Sequence, residues 1–295
     1  MTIRDFVVCK IGKLIPDRAW IEIKYFLRFK KRCNLKNPQT FNEKLQWLKL
    51  YDQRDEHTIM VDKYAMKEYV TKIVGPGHVV PVLGVWDRVE DIDFDSLPNC
   101  FVLKVTHDCG GLVICKDKKN LDVAAAKAKL SAALKSDYYI RYREWPYKNV
   151  RPRIFAEVYM EDESGVELKD YKVFNFNGVP YCIQVDFDRF VGHKKNIYST
   201  EWRYMELAYN FPTYPEHQIP RPEGLEKMLE IAAALSKEES FVRTDFYVVD
   251  GHVYVGEITF FPVSGYGKFT PEEYDLQFGS HIQLPEEKWV GGRKL

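Results

Sequence analysis

Phe241-Val-Arg-Thr-Asp-Phe-Tyr-Val-Val-Asp-Gly-His-Val-Tyr-Val-Gly-Glu-Ile-Thr-Phe-Phe-Pro262 reads as two β-rich runs around Asp250-Gly251. Side chains alternate along a strand, so Arg243 and Asp245 share one face of the first run. Val253, Val255, Glu257 and Thr259 share one face of the second. Apolar neighbours on every side put these polar residues in a semi-buried groove. Whether the two acids meet depends on parity. A strict two-residue Asp-Gly turn sets residue 245 opposite residue 256 and leaves Asp245 and Glu257 on opposite faces. A three-residue loop with a glycine bulge restores a common face, and that form is predicted here. Brought together, two carboxylates resist ionisation unless a cation lies between them. Magnesium suits such a pair, with its other positions filled by water and phosphate oxygens. Arg243, always charged and fork-shaped, suits a transferring phosphoryl group or an acyl phosphate. A surface hairpin with its polar residues turned to water is the competing reading.

Upstream, short β-rich runs cover 79–85, 100–106, 112–116, 153–159, 171–176 and 181–187, and Asn177-Gly178 reads as a tight hairpin. Helical patterns lie at 124–135 and 222–237, the second with a proline in its first turn. Residues 1–57 are helical in texture, around 19–31 and 41–51, and Thr40 with Glu43 forms a capping box. Antiparallel pairs with segregated helices make the chain α+β.

The chain has 295 residues with 43 basic and 43 acidic side chains, so no global attraction to nucleic acid or an anionic membrane is expected. A local basic cluster, Arg28, Lys30, Lys31, Arg32 and Lys36, is either a solvated face or a contact with an anionic substrate or membrane surface. Six scattered cysteines without a CxxC pair signal neither zinc nor a redox dithiol. No signal peptide is expected, and no apolar run approaches the roughly 18 residues that cross a bilayer. Reduced thiols in the cytoplasm follow as the plain expectation.

Elsewhere, Lys104 interrupts an apolar strand, where a lysine is costly to bury without an anionic partner. Gly110-Gly111 follows it, either as a flap whose backbone N–H groups approach phosphate or as a plain hairpin turn. Lys63 stands near the start of a helix. Glu157 ends an apolar strand, where a carboxylate could read the amino edge of an adenine. Asp170 opens Asp170-Tyr-Lys-Val-Phe. Neither the Walker A nor the dinucleotide fingerprint is present.

The series Asp62-Lys63, Lys104, Gly110-Gly111, Glu157, Asp170, Arg243-x-Asp245 and Glu257-x-Thr259 resembles the ATP-grasp superfamily. Within it the chain is similar to the teichuronopeptide-biosynthesis (TupA-like) ATP-grasp group. The matching phrases are Thr40-Phe-Asn-Glu-Lys-Leu-Gln-Trp, Asp62-Lys-Tyr, Asp170-Tyr-Lys-Val-Phe-Asn-Phe-Asn-Gly, Arg243-Thr-Asp-Phe-Tyr, Gly256-Glu-Ile-Thr-Phe and Ser264-Gly-Tyr-Gly-Lys-Phe. The resemblance implies two α+β lobes clasping ATP, with residues 1–57 as a helical N-terminal extension, 58–155 as the small lobe and 156–295 as the C-terminal lobe. It implies Lys63 and Lys104 on the phosphates, the Gly110-Gly111 flap over them, Glu157 and Tyr159 by the adenine, and Asp170 and Lys172 in the same nucleotide site. Asp245, Glu257 and Thr259 would hold magnesium, or manganese in its place, with Arg243 and Lys104 as catalytic cations. The superfamily usually has asparagine where Thr259 stands, so the hydroxyl would act there through water. The separate N-terminal α/β substrate domain is replaced by helices.

By the same resemblance, a carboxylate attacks ATP, an acyl phosphate forms, and an amine displaces phosphate to make an amide. Family context points to attaching an amino acid to a uronic-acid-containing bacterial surface polysaccharide or its precursor, in the cytoplasm or at the inner face of the membrane. Arg189 and His193, in a basic loop with Lys194 and Lys195, and Ser264 and Gly265 are the substrate candidates. Three rivals remain: an ATP-grasp phosphotransferase without ligation, a glycosyltransferase using Asp186-Phe-Asp188, and a non-catalytic nucleotide-binding module.

Overall fold

A computed structural model describes residues 12–108, 110–161, 168–187 and 192–295. The chain enters through α1 (Asp17–Phe29) and α2 (Phe41–Tyr51). The capping box that starts α2 is formed: Thr40 Oγ1 accepts from Glu43 N at 3.3 Å, and Glu43 Oε2 accepts from Thr40 N at 3.3 Å. Two short helices follow, α3 (Glu56–Val61) and α4 (Ala65–Val74).

A four-stranded antiparallel sheet comes next. Its strands β1 (Val82–Trp86), β2 (Phe101–Val105) and β3 (Leu112–Cys115) precede α5 (Val123–Leu134) and α6 (Tyr138–Tyr142), and β4 (Ile154–Val158) then joins between β1 and β2. Alternation works here as the strand pattern demands. Phe101, Leu103 and Val105 point into a core shared with Ala126 and Leu130 of α5, which leaves Val102 and Lys104 on the other face.

The second sheet has six antiparallel strands in the order β11-β10-β5-β6-β7-β8. In chain order they are β5 (Tyr171–Phe176), β6 (Val179–Phe187), β7 (Lys194–Ser199) and β8 (Tyr204–Met205), followed after β9 (Ala208–Tyr209) and α7 (Leu225–Ser236) by β10 (Phe241–Val249) and β11 (His252–Thr259). The pair β12 (Phe269–Thr270) and β9 and the helix α8 (Glu273–His281) complete this half. Both tight hairpins have positive φ at their two central residues, at Asn177-Gly178 (49° and 79°) and Asp250-Gly251 (49° and 74°). That is the twist-compatible primed turn favoured by Asn-Gly and Asp-Gly.

One face of the six-stranded sheet, carrying Val242, Phe246, Val173, Ile183 and Ile258, packs under α7 in a single apolar cluster. The opposite face is split lengthwise. At one end Phe241, Phe174 and Phe176 surround Phe41, which sits 4.9 Å edge-on from Phe241 and 6.0 Å from Phe278. At the other end stand Arg243, Asp245, Lys172 and Asp170.

The anticipated division differs from the structure in three places. Strand β4 belongs to the four-stranded sheet as a whole and so crosses the expected boundary at 155/156. Met60, Val61, Met66 and Val70 join the core of the larger sheet, because α4 packs on α7 and β11. The helical N-terminus is likewise not appended: Phe41 and Leu45 are fully buried.

Candidate active site

In the decisive hairpin Val249 pairs with His252, so the turn is the strict two-residue form. The parity problem is solved further along. The register runs Phe246 with Val255 and then Asp245 with Glu257, which leaves Gly256 as the extra residue of a bulge inside β11. The acids therefore face each other, but the loop bulge expected from the sequence is replaced by a bulge in the strand. Its glycine is required by close approach: a Cβ at residue 256 would stand 2.7 Å from Tyr247 Cε2.

Asp245 is 3% exposed. Arg243 donates to both its oxygens, Nε to Oδ1 at 2.6 Å and Nη2 to Oδ2 at 2.7 Å, and Lys172 Nζ donates to Oδ2 at 2.8 Å. Lys172 pairs with Asp245 across β5 and β10 and also bonds Asp170. Lys63, entering from between α3 and α4, bonds Glu257. Burial alone would raise both acids, yet Arg243 and Lys172 hold Asp245 below the ordinary carboxylate range, and Lys63 does the same for Glu257 against the push of Asp245. Thr259 pairs with Arg243 in the ladder, and its hydroxyl accepts from Arg243 Nη2 at 3.4 Å.

From the small sheet, Lys104 reaches Glu157 at 2.5 Å, and Lys67 of α4 reaches the other oxygen at 2.5 Å. Glu157 lies on β4, one residue before its end. It is 4% exposed, and the two lysines offset its burial and lower its pKa. Gly111 is packed against Val105 and Ala133, where a Cβ would come within 2.6 Å of Val105. The exposed Gly110 donates its N–H to Asp108 Oδ1 at 3.2 Å. Tyr159 donates to Glu161 at 2.8 Å on the outer rim.

Between the two sheets lies a cleft of about 320 Å³ lined by Lys63, Lys104, Gly111, Asp170, Lys172, Asp186, His193, Lys195, Arg243, Asp245, Tyr247 and Glu257. Parity separates the two adjacent lysines of β7. Lys195, opposite Asp186, faces the cleft, whereas Lys194 lies over the Tyr214 ring at 3.7 Å. His193 approaches Asp186 at 3.6 Å. Arg189 lies outside the described residues. Glu157, Tyr159, Thr259 and Gly110 are not among the side chains that line the cleft.

Ser264 and Gly265 are not among the residues that line the cleft. Val263, Ser264 and Gly265 have φ of 51°, 54° and 63°, a strained left-handed turn for two non-glycine residues. Three polar side chains of α2 clamp it. Gln46 donates to Gly265 O at 2.7 Å, Lys49 donates to Ser264 O at 2.8 Å and to its hydroxyl at 2.9 Å, and Asn42 donates to Gly267 O at 2.9 Å. The Ser264 hydroxyl is thus engaged by a lysine. Positions 42, 46 and 49 lie on one helical face, so polar residues at i, i+4 and i+7 beside the apolar Phe41, Leu45 and Leu48 were the readable signal for this clamp.

The donor set at the cleft is chemically suited to a hard divalent cation. Asp245 and Glu257 offer carboxylate oxygens from neighbouring strands on one face, beside cations suited to phosphate. The profile of the TupA-like ATPgrasp family matches residues 43–283. The chain belongs to this family. It is therefore an ATP-grasp protein of α+β class, as its sequence resemblance implied. No curated protein matches it. Among solved structures it is similar to a D-alanine–D-alanine ligase from Bacillus anthracis complexed with ATP, at 18% identity over 68% of this chain and 53% of that one, with a TM-score of 0.39. A phosphoribosylamine–glycine ligase from Thermotoga maritima is similar at 13% identity over 69% and 48%, with a TM-score of 0.42. The TupA-like chain spans about half the length of these solved chains.

Proposed function

We propose that this ATP-grasp protein is an ATP-dependent carboxylate–amine ligase that works through an acyl phosphate. The observation that carries the reading is Asp245 facing Glu257 across the Gly256 bulge, in one cleft with Lys63, Lys104, Lys172 and Arg243. Asp245 and Glu257 are the residues that would hold magnesium, and Thr259, whose hydroxyl accepts from Arg243, would act only through water. A bound magnesium ion would neutralise phosphate charge and so ease approach of an anionic acid.

Each basic group is held in an ion pair that a phosphate oxygen can take over. Lys63 would leave Glu257, and Lys104 would leave Glu157, to bind the nucleotide tail. Lys67 stays on Glu157, so that carboxylate is never left buried without a partner. Arg243 presents a fork fixed by Asp245 at the point where the acyl phosphate forms. Phosphoryl transfer needs in-line positioning and charge stabilisation more than covalent help, and the cations of this cleft support the second. The amine then attacks the acyl carbon and phosphate leaves.

For the acid we infer a uronate or similar anionic sugar unit of a bacterial surface polysaccharide or its precursor. His193 and Lys195, at the Asp186 side of the cleft, support an anionic acceptor. ATP is supplied inside the cell, so the reaction belongs in the cytoplasm, at the inner face of the membrane where such precursors are built. The test is ADP release from Mg-ATP with amino acids paired against uronic-acid sugars. Release that requires both acid and amine is expected, and release with one acceptor alone would replace ligation by phosphotransfer. A second reading rests on Asp186 in the cleft: nucleotide-sugar turnover that survives Asp245→Asn would make the protein a glycosyltransferase.

A further inference from the structure

Four large apolar side chains stand out of the protein along α1 and the turn before it. Leu14, Ile23, Phe26 and Leu27 are 84, 47, 50 and 62% exposed. Ile23, Phe26 and Leu27 follow i, i+3, i+4 spacing and form one stripe, which Lys30 continues. The inner side of the helix is already used. Ile21 and Tyr25 are buried, Lys24 donates to Arg141 O at 2.9 Å, and Arg28 donates to Tyr266 O at 2.9 Å. The helix thus turns an apolar face to water, the reverse of an ordinary surface helix. Other exposed apolar residues, such as Ile73, Leu83, Ile114, Val179 and Leu276, sit singly on separate elements.

Charge says what fits this stripe. Residues 13–36 hold eight lysines and arginines against two acids, in a chain of zero net charge. Both acids are committed, Asp17 to Arg143 at 2.8 Å and Glu22 to Arg18 at 3.0 Å. Lys13, Lys30, Lys31, Arg32 and Lys36 are exposed, and of these Lys31 meets Glu272. A nucleic acid would use the cations and leave the stripe in water. The boundary between headgroups and acyl chains of an anionic bilayer uses both.

We propose that α1 docks the protein on an anionic lipid surface, with Ile23, Phe26 and Leu27 entering the headgroup boundary and Lys13, Lys30, Arg32 and Lys36 meeting lipid phosphates. Arg28 ties the docked helix to Tyr266, next to the clamped Val263–Gly265 turn. The docking does not depend on the ligase reading.

The test is sedimentation of the full chain with vesicles of phosphatidylglycerol mixed with phosphatidylcholine, and of phosphatidylcholine alone, with Mg-ATP binding measured in parallel. The chain is expected to bind the mixed vesicles, less at high salt, and to bind the neutral ones poorly. Ile23→Gln/Phe26→Gln/Leu27→Gln is expected to lower partitioning roughly ten-fold or more. Lys30→Glu/Arg32→Glu should lower it comparably, and both variants should bind Mg-ATP as before. Failure of the full chain to sediment, or unchanged sedimentation of the glutamine variant, overturns the proposal. Loss in the charge variant alone also overturns it, in favour of plain polyanion attraction. So does a solution dimer that the glutamine variant dissolves, which assigns the stripe to a second copy. A chain that sediments with mixed vesicles but binds no Mg-ATP leaves docking standing and sinks the ligase reading.

Discussion

Strands β5 and β10 carry two opposite kinds of chemistry on one face. At one end Phe174, Phe176 and Phe241 close around Phe41, and two residues further on the same alternation presents Arg243 and Asp245 opposite Lys172. The aromatic end is covered by α2 and α8, which bring Phe41 and Phe278 to it. The charged end is covered by the small sheet and by Lys63, which bring cations. The β5–β10 ladder itself runs through both ends without a register shift, so the difference lies in what each neighbour delivers. The aromatic end gains by excluding water. The charged end is arranged as ion pairs, which in the proposed reaction a ligand would exchange rather than create.

The sharpest way to break this contrast is Asp245→Asn. It leaves Arg243 and Lys172 buried without their shared acid, so we expect a stability loss of about 3 kcal/mol and a fall in ADP release of roughly a hundred-fold or more. Denaturant titration and steady-state assay read the two effects, and unchanged release would remove Asp245 from the chemistry. At the aromatic end, Phe41→Ala should cost about 3–5 kcal/mol by opening a cavity. Turnover per folded molecule should stay near wild type, and a parallel collapse of turnover would show that the two ends are not separable. Gly256→Ala tests the junction: a Cβ against the Tyr247 ring should cost about 1–3 kcal/mol. It should also lower ADP release, because the bulge is what turns Glu257 to Asp245, and a variant with full activity would show that the bulge is dispensable.

The smallest effect concerns Glu144 and Lys49, which lie behind the clamped turn. Burial raises Glu144 to about 7 and lowers Lys49 to about 7. Between pH 4.5 and about 7 the unfolded chain has lost the Glu144 proton that the folded chain keeps, so this pair makes stability fall as pH rises. Between about 7 and 10.5 the unfolded chain keeps the Lys49 proton that the folded chain has released, so stability rises again. Asp245, Glu257 and Glu157, held low, act in the other direction and only below the ordinary carboxylate range. Melting temperature measured against pH should therefore flatten near neutrality in Glu144→Gln/Lys49→Met. An unaltered profile would show that the pair does not titrate there.

Much of the site could be read from local pattern. The capping box, both Asx-Gly hairpins and the alternation that sets Arg243 beside Asp245 depend on residues within a few positions of each other. Lys104 could be picked out because an isolated mid-strand lysine demands an anion, though the sequence did not say that the anion would be Glu157 on a neighbouring strand. The position of the bulge was not legible. It is decided by the ring of Tyr247 lying against residue 256, a contact that exists only once the strands are paired. The same holds for Ser264, whose bond to Lys49 exists only once α2 packs against the turn.

The amino-acid order by itself determined the α+β class and the polar residues of the final hairpin, because these follow from periodicity and from turn chemistry of short range, and it carried the family through the resemblance of its motifs. Tertiary structure alone decided which charges meet, namely Lys67 and Lys104 on Glu157, Lys172 on Asp245, and Lys195 rather than Lys194 in the cleft. Ion pairing depends on register and on the packing of one sheet over another. A single slipped residue reverses every side chain on a strand, and no local pattern records that choice.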